Sequence, residues 1–344
     1  MFDQNELKKI KSLSKKMEES QSILPEVLEM IYKRKLFKIF TPKTLGGLEL
    51  SFIDGLKVFQ QVGSIDGNIG WAVTIGTGGN MFIPLFNREL CERHFLQKEA
   101  VIAGSGKFGI AERVEGGFII SGEWKYCSGA DYATLFTMNC QIRESNENVT
   151  CSVPRENVKI LPNWNAMGLK ATSSHSMKVE SVFVKDEETF TFGRFQNEFE
   201  LPVHSFPFIP FSKASFFSLC LGLTEQLLSE ACEALNRKKD HIVIERYELV
   251  KEKWIQAIEV TKNIEQQFYS LVLGLWEKHI NGKLLSGEEL NHFSMFCQVQ
   301  SNELLMLAHS LMRYYGMEAV LEHTDLNRAW RNLCTASQHV FLTP

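Results

Sequence analysis

A change of hydrophobic period constrains this chain more than any single motif. From Ala100 to about Phe192, apolar and polar residues alternate in segments such as RVEGGFIISGEW, TLFTMNCQI, TCSVPR and MKVESVFV, with Gly, Asn and Pro between them. Period two is the repeat of a half-buried strand, and this punctuation predicts a compact antiparallel β domain. On both sides the repeat is helical. Leu7, Ile10, Leu13 and Met17 recur among lysines and glutamates, and Val27, Ile31 and Leu36 follow Pro25. A stretch from Ser51 to about Val62 precedes one carrying Gly70, Ala72, Gly76 and Gly78, small residues that suit tight helix packing, and a polar helix covers Asn87–Gln97. Beyond the strands come Phe211–Lys238, Glu245–Asn281, a stretch from Ser286 (capping box to Glu289) closed by Gly316, and one from Thr324 to about His339. The expected fold class is α+β and multidomain: an N-terminal α-helical domain over 1–99, a middle antiparallel β domain over 100–200, and a C-terminal four-helix bundle domain over 201–344.

Composition narrows the function by exclusion. A net charge of −4 and a pI near 6.2 speak against a nucleic-acid or anionic-membrane surface. The most apolar long run, Phe206–Leu223, contains Pro207, Pro210 and Lys213 and is not expected to span a membrane. The 8 cysteines are scattered with no C-x-x-C pair, and MFDQNELKKIKSL does not read as a signal peptide. Reduced thiols, a cytoplasmic location and no bound metal are the expectations.

The segment Gly116–Cys140, GGFIISGEWKYCSGADYATLFTMNC, interrupts its alternation to display Trp124, Tyr126, Ser128 and Gly129. A flat aromatic cofactor would suit that set: an indole offers a face, a hydroxyl a hydrogen bond, and a glycine lets the backbone approach. Composition alone favours a plainer reading, a strand-turn-strand with core aromatics. Gly104-Ser-Gly-Lys-Phe-Gly109 matches G-x-G-x-x-G, with Glu123 placed as a ribose acid would be. That fingerprint needs a helix to start in the loop, and IAERVEGGFII is a strand and a hairpin turn, so a Rossmann site is rejected.

In this order the motifs resemble the acyl-CoA dehydrogenase superfamily of flavoenzymes, across essentially the whole chain. LFKIFTPKTLGGLEL is similar to its P-x-x-x-G-G segment, and GGFIISGEWKYCSGADYATLF to the segment that meets the flavin ring. NWNAMGLKATSSHSMKVESVFV resembles the end of the family's β domain, and DLNRAWRNLCTASQHV its last helix. True dehydrogenases carry a glutamate base after that helix, whereas this chain has Ala336-Ser-Gln-His339 and no glutamate after Glu322. His339, with Trp124, Tyr126, Ser128 and Gly129 in a W-x-[FY]-x-SG pattern, looks like the group D two-component flavin-dependent monooxygenases.

That resemblance implies reduced flavin, FAD or FMN, supplied by a separate reductase, and oxygen used to hydroxylate a small aromatic substrate. It implies catalytic roles for His339, facing substrate, and Ser128, near flavin N5. It implies cofactor contacts for Trp124, Tyr126, Ser128, Gly129, Thr172, Ser173 and Ser174, and a homodimer or homotetramer. Arg331 is expected to be a structural ion-pairing residue, with Asn332 where the family has an aspartate. No Q-x-x-G-G-x-G segment is present, so loosely held reduced FMN or FAD is expected rather than tightly held FAD. Two alternatives stay open: an acyl-CoA dehydrogenase with Glu225 or Glu230 as base, and a flavin-free structural homologue.

Overall fold

The computed structural model describes residues 2–343. The N-terminal helices start where side chains satisfy their free amides. In α1 (Gln4–Ser20) the Asp3 carboxylate accepts from the Asn5 and Glu6 amides, and Ile10, Ser14 and Met17 form the buried face. Pro25 opens α2 (Pro25–Lys33), where its missing N–H costs nothing. Ser51 caps α3 (Phe52–Ile65) and Asp66 caps α4 (Gly67–Gly78). These two helices touch backbone to backbone, because a Cβ on Gly70 would lie 2.6 Å from the Gly63 Cα. A short 3-10 turn, Gly79–Leu85, leads to α5 (Arg88–Phe95).

One sheet follows, built from β1 (Ile102–Val114), β2 (Gly117–Cys127), β3 (Leu135–Ile142), β4 (Asn148–Pro154), β5 (Lys159–Leu161), β6 (His175–Lys185) and β7 (Thr189–Phe190). Its spatial order is β5-β6-β2-β1-β3-β4-β7. Neighbours pair antiparallel except β1 and β3, which run parallel. The G-x-G-x-x-G segment lies inside β1, with a bulge between Ser105 and Phe108 and no helix after it.

The chain then returns to helices: α6 (Phe208–Arg237), α7 (Ile244–Ile280), α8 (Gly287–Met312), the single turn α9 (Met317–Val320) and α10 (Asp325–Ala336). The Ser286 capping box and the Thr324 cap are both present. Gly316 does not close α8 as expected; the helix ends at Met312, tightens through turns at Tyr314 and Tyr315, and Gly316 (φ 57) leads into α9. Residues of α1–α4 and of the bundle share one apolar core, while the sheet encloses its own around Trp124, Phe136 and Met138. No helix of the described residues is long and apolar enough to cross a membrane.

The two cores meet at the end of β2, the start of β6 and the faces of α4 and α10. The segment Met167–Ser174 fills that junction and is tied on three sides. The Leu169 amide donates to Asn332 Oδ1 (2.7 Å) and the Ala171 amide to Asn68 Oδ1 (2.9 Å). Arg331 donates to the Met167 carbonyl (2.6 Å) and pairs with Glu18 (2.5 Å), so α1 and α10 hold the same loop. The Gly129 amide closes the third side on the Thr172 carbonyl (2.9 Å). Gly129 does so at φ 83, a conformation that favours glycine.

Candidate active site

A line of hydroxyls sits at this junction. Trp71 Nε1 of α4 donates to Ser128 Oγ (2.9 Å), which is 2.8 Å from Ser174 Oγ, itself 2.7 Å from Thr172 Oγ1. Thr172 Oγ1 donates to the Leu169 carbonyl (2.8 Å), which also accepts from Trp164 Nε1 (2.9 Å). Trp71, Ser128, Ser174 and Thr172 are all buried, and each is hydrogen-bonded, as buried polar groups must be to avoid a desolvation cost.

Trp71 also contacts an aromatic wall. The His339 ring meets Trp71 edge-on at 5.7 Å and stacks on Phe216 of α6 at 3.8 Å. Phe216 packs against Phe341, Phe341 against Phe208, and Phe208 against Phe82 and Phe192, so rings line the way from His339 outward. His339 lies three residues beyond α10, half-buried, and its Nδ1 faces the Phe341 amide at 3.4 Å. With Nδ1 accepting, the neutral ring carries its proton on Nε2. Burial pushes the imidazole down to about 4, so the ring is neutral near pH 7.

The sequence-derived residues fall into different places. Ser128 and His339 are brought together in that both contact Trp71. Tyr126 stands free: its ring is 67 % exposed, edge-on to Trp164 at 6.5 Å. Trp124 offers no such face and corrects the expectation of a stacking platform. It is 0 % exposed, its Nε1 donates to the Asn139 carbonyl (3.0 Å), and Gly109 and Gly122 make the space for its ring. A bulge between Trp124 and Cys127, with Tyr126 at φ 64, turns the second aromatic outward instead. Thr172 and Ser173 are likewise without accessible surface, so direct cofactor contact through their side chains is not what this geometry offers. Thr172 acts inside the hydroxyl line, and Ser173 donates to Asp131 (2.7 Å).

Arg331 and Asn332 brace the loop rather than enter the site. The two glutamates weighed as dehydrogenase bases have other partners. Glu225 accepts from Gln60 Nε2 (2.6 Å), which also donates to Glu265 (2.8 Å), and Glu230 faces Lys11 at 3.5 Å. A cleft of about 520 Å³ between α8 and the C-terminal segment is lined by residues such as Met295, Ser301 and Thr343 and by none of the hydroxyl line. Polar and aromatic groups converge instead at the hydroxyls and the aromatic wall.

Trp71 is the residue that sequence reasoning missed. It stood among small residues on a helix, and the one available signal was general: a buried indole N–H needs an acceptor. Nothing local names Ser128 as that acceptor.

An isoalloxazine fits the residues present. Tyr126 gives it an accessible ring face and Ser128 an oxygen with a lone pair to spare. No family model matches the chain. Over 328 residues it is 24 % identical to an indole-3-acetate monooxygenase of Pseudomonas putida, covering 92 % of this chain and 83 % of the relative. It is 21 % identical over 344 residues to the oxygenase component of p-hydroxyphenylacetate 3-hydroxylase of Acinetobacter baumannii, covering 94 % and 81 %. The structure superimposes on that of XiaF from Streptomyces, solved with FADH2 and glycerol, with a TM-score of 0.88 at 18 % identity over 98 % of this chain and 91 % of that one. The chain is a homologue of the oxygenase components of two-component flavin-dependent monooxygenases and has their acyl-CoA dehydrogenase-like fold.

Proposed function

We propose that this protein is a flavin-dependent monooxygenase that takes reduced FAD or FMN from a separate reductase and hydroxylates a small aromatic substrate with oxygen. The observation that carries the reading is that Trp71 touches both a buried hydroxyl, Ser128, that can meet a flavin and an aromatic cluster that includes His339. Bound reduced flavin supplies the electrons and the carbon at which oxygen is activated.

The chain's own residues do the rest. Tyr126 and Gly129 receive the ring on the side of the β domain (100–200). Ser128 Oγ accepts the proton-bearing N5, and the buried surroundings exclude the water that would divert activated oxygen to hydrogen peroxide. Phe216 and Trp71 hold an aromatic ring against His339. The neutral imidazole presents its Nε2 proton to the substrate or the oxygen being transferred, which orients both near neutral pH. A cytoplasmic location and a homodimer or homotetramer belong to the same reading. Met295, Val299 and Met306 of α8, each more than half exposed and spaced i, i+4, i+11 along one helix face, support self-association.

The test is anaerobic titration with reduced FMN and reduced FAD, followed by rapid mixing with oxygen and a substrate such as indole-3-acetate or p-hydroxyphenylacetate. Binding of reduced flavin and a hydroxylated product support the reading. Ser128→Ala is expected to release more hydrogen peroxide per flavin oxidised. Failure to bind flavin in either redox state would overturn it.

A further inference from the structure

The direction of every hydrogen bond in the hydroxyl line can be worked out, because each end is fixed. A carbonyl oxygen only accepts, so the Thr172 proton is committed to Leu169. Thr172 has one hydroxyl proton, so across its 2.7 Å contact Ser174 must donate. Ser174 has then used its own proton, so across the 2.8 Å contact Ser128 must donate. Trp71 Nε1 only donates, and its proton occupies one lone pair of Ser128. The order is Trp71 to Ser128 to Ser174 to Thr172 to Leu169. Ser128 is left with no proton to give outward and one lone pair to receive.

We infer that Thr172 and Ser174 are positioning residues that make Ser128 a hydrogen-bond acceptor only, and so set the site to select flavin carrying a proton on N5 over oxidised flavin. This rests on the proposed function, which puts N5 against Ser128. Reduced flavin has an N5–H for the vacant lone pair. Oxidised flavin has only an N5 lone pair there, which would face another. Reversing the line to suit it would leave Thr172 Oγ1 and the Leu169 carbonyl 2.8 Å apart with no proton between them. A two-component enzyme has use for such a device, since it must capture reduced flavin and let the spent, oxidised form go.

The experiment measures dissociation constants for oxidised FMN and FAD, and for both reduced flavins under anaerobic conditions, in wild type, Thr172→Val, Thr172→Ser and Ser174→Ala, using flavin fluorescence or absorbance and no turnover. In Thr172→Val the terminal commitment is gone, so Ser174 can donate to Ser128 and Ser128 outward. The ratio of oxidised to reduced affinity should move toward the oxidised form by roughly tenfold. Ser174→Ala frees the Ser128 proton and should move the ratio the same way. Thr172→Ser keeps the hydroxyl and should keep the wild-type ratio. A general loosening of the loop would weaken both redox states alike, so the ratio separates a directional role from a structural one. If Thr172→Val does not fold, Ser174→Ala decides. Wild type that binds neither FMN nor FAD in either redox state would sink the flavin reading itself. Wild type that binds reduced FMN or FAD, with an unchanged ratio in the folded variants, would overturn the relay alone.

Discussion

In the proposed reading Ser128 and His339 divide the work at atomic scale, and each makes a separate prediction. Ser128→Ala removes the acceptor for N5–H and leaves Trp71 Nε1 without its partner, so it is expected to uncouple flavin oxidation from product formation, read as peroxide per turnover. His339 is neutral near pH 7 because its burial disfavours the charged form. If its task is to present the Nε2 proton, His339→Gln, whose amide can donate from a similar position, should retain more product formation than His339→Ala. The alanine variant should lose about 10²-fold or more. Equal losses would mean that the ring's basicity or its stacking on Phe216 matters instead. At this scale the sequence was legible only in part. Ser128 and Gly129 stand out because their chemistry is local to one turn. Trp124 and Tyr126 are two residues apart, which in a regular strand puts both on one face. A bulge sends one into the core and the other into solvent, and a bulge leaves no reliable mark in the alternation.

Elements contribute by bracing the Met167–Ser174 loop from three directions. Arg331 is the centre of that bracing, buried between Glu18, Asn327 and two backbone carbonyls. Arg331→Met would leave Glu18 beside Arg328 and Lys170 without its nearest cation and free the Met167 and Glu322 carbonyls. Breaking a buried ion pair from one side costs about 3–5 kcal/mol, so urea unfolding should show a loss of that size. Because the loop carries Thr172 and Ser174, reduced-flavin affinity should fall as well. An unchanged midpoint would show that α1 and α10 do not stabilise the loop through this contact. The ion-pairing nature of Arg331 was readable from its setting in the last helix. Its partner was not, since Glu18 lies at the opposite end of the chain and no local pattern couples the two.

For the whole molecule, buried histidines govern response to acid. Burial lowers His94 to about 3 and His204 and His339 to about 4, from an ordinary value of 6.5. Between about 6.5 and those values the unfolded chain binds more protons than the folded one, so stability rises with pH there and is lost as pH falls. Thermal unfolding followed by circular dichroism should give a Tm that is flat above about pH 6.5, as far as these groups go, and drops steadily toward pH 4. While a ring is charged in the unfolded chain and neutral in the folded one, each further pH unit of acidification removes about 1.4 kcal/mol. A Tm insensitive to pH over that window would contradict the neutral, buried state of these rings. The exposed apolar stripe on α8 makes a second molecular-scale prediction. Val299→Asp should lower the mass measured by light scattering if the protein self-associates through that face, and leave it unchanged if it does not. What the sequence by itself determined was the succession of helix, sheet and helix, the caps at Ser286 and Thr324, and the exclusion of a Rossmann loop. Each follows from hydrogen bonding and burial among near neighbours in the chain. Only the tertiary structure decided that Trp71 donates to Ser128, that Phe216 carries His339 and that Glu18 holds Arg331. Those contacts join residues far apart in the chain, and their pairing depends on how two separately built cores are packed against each other.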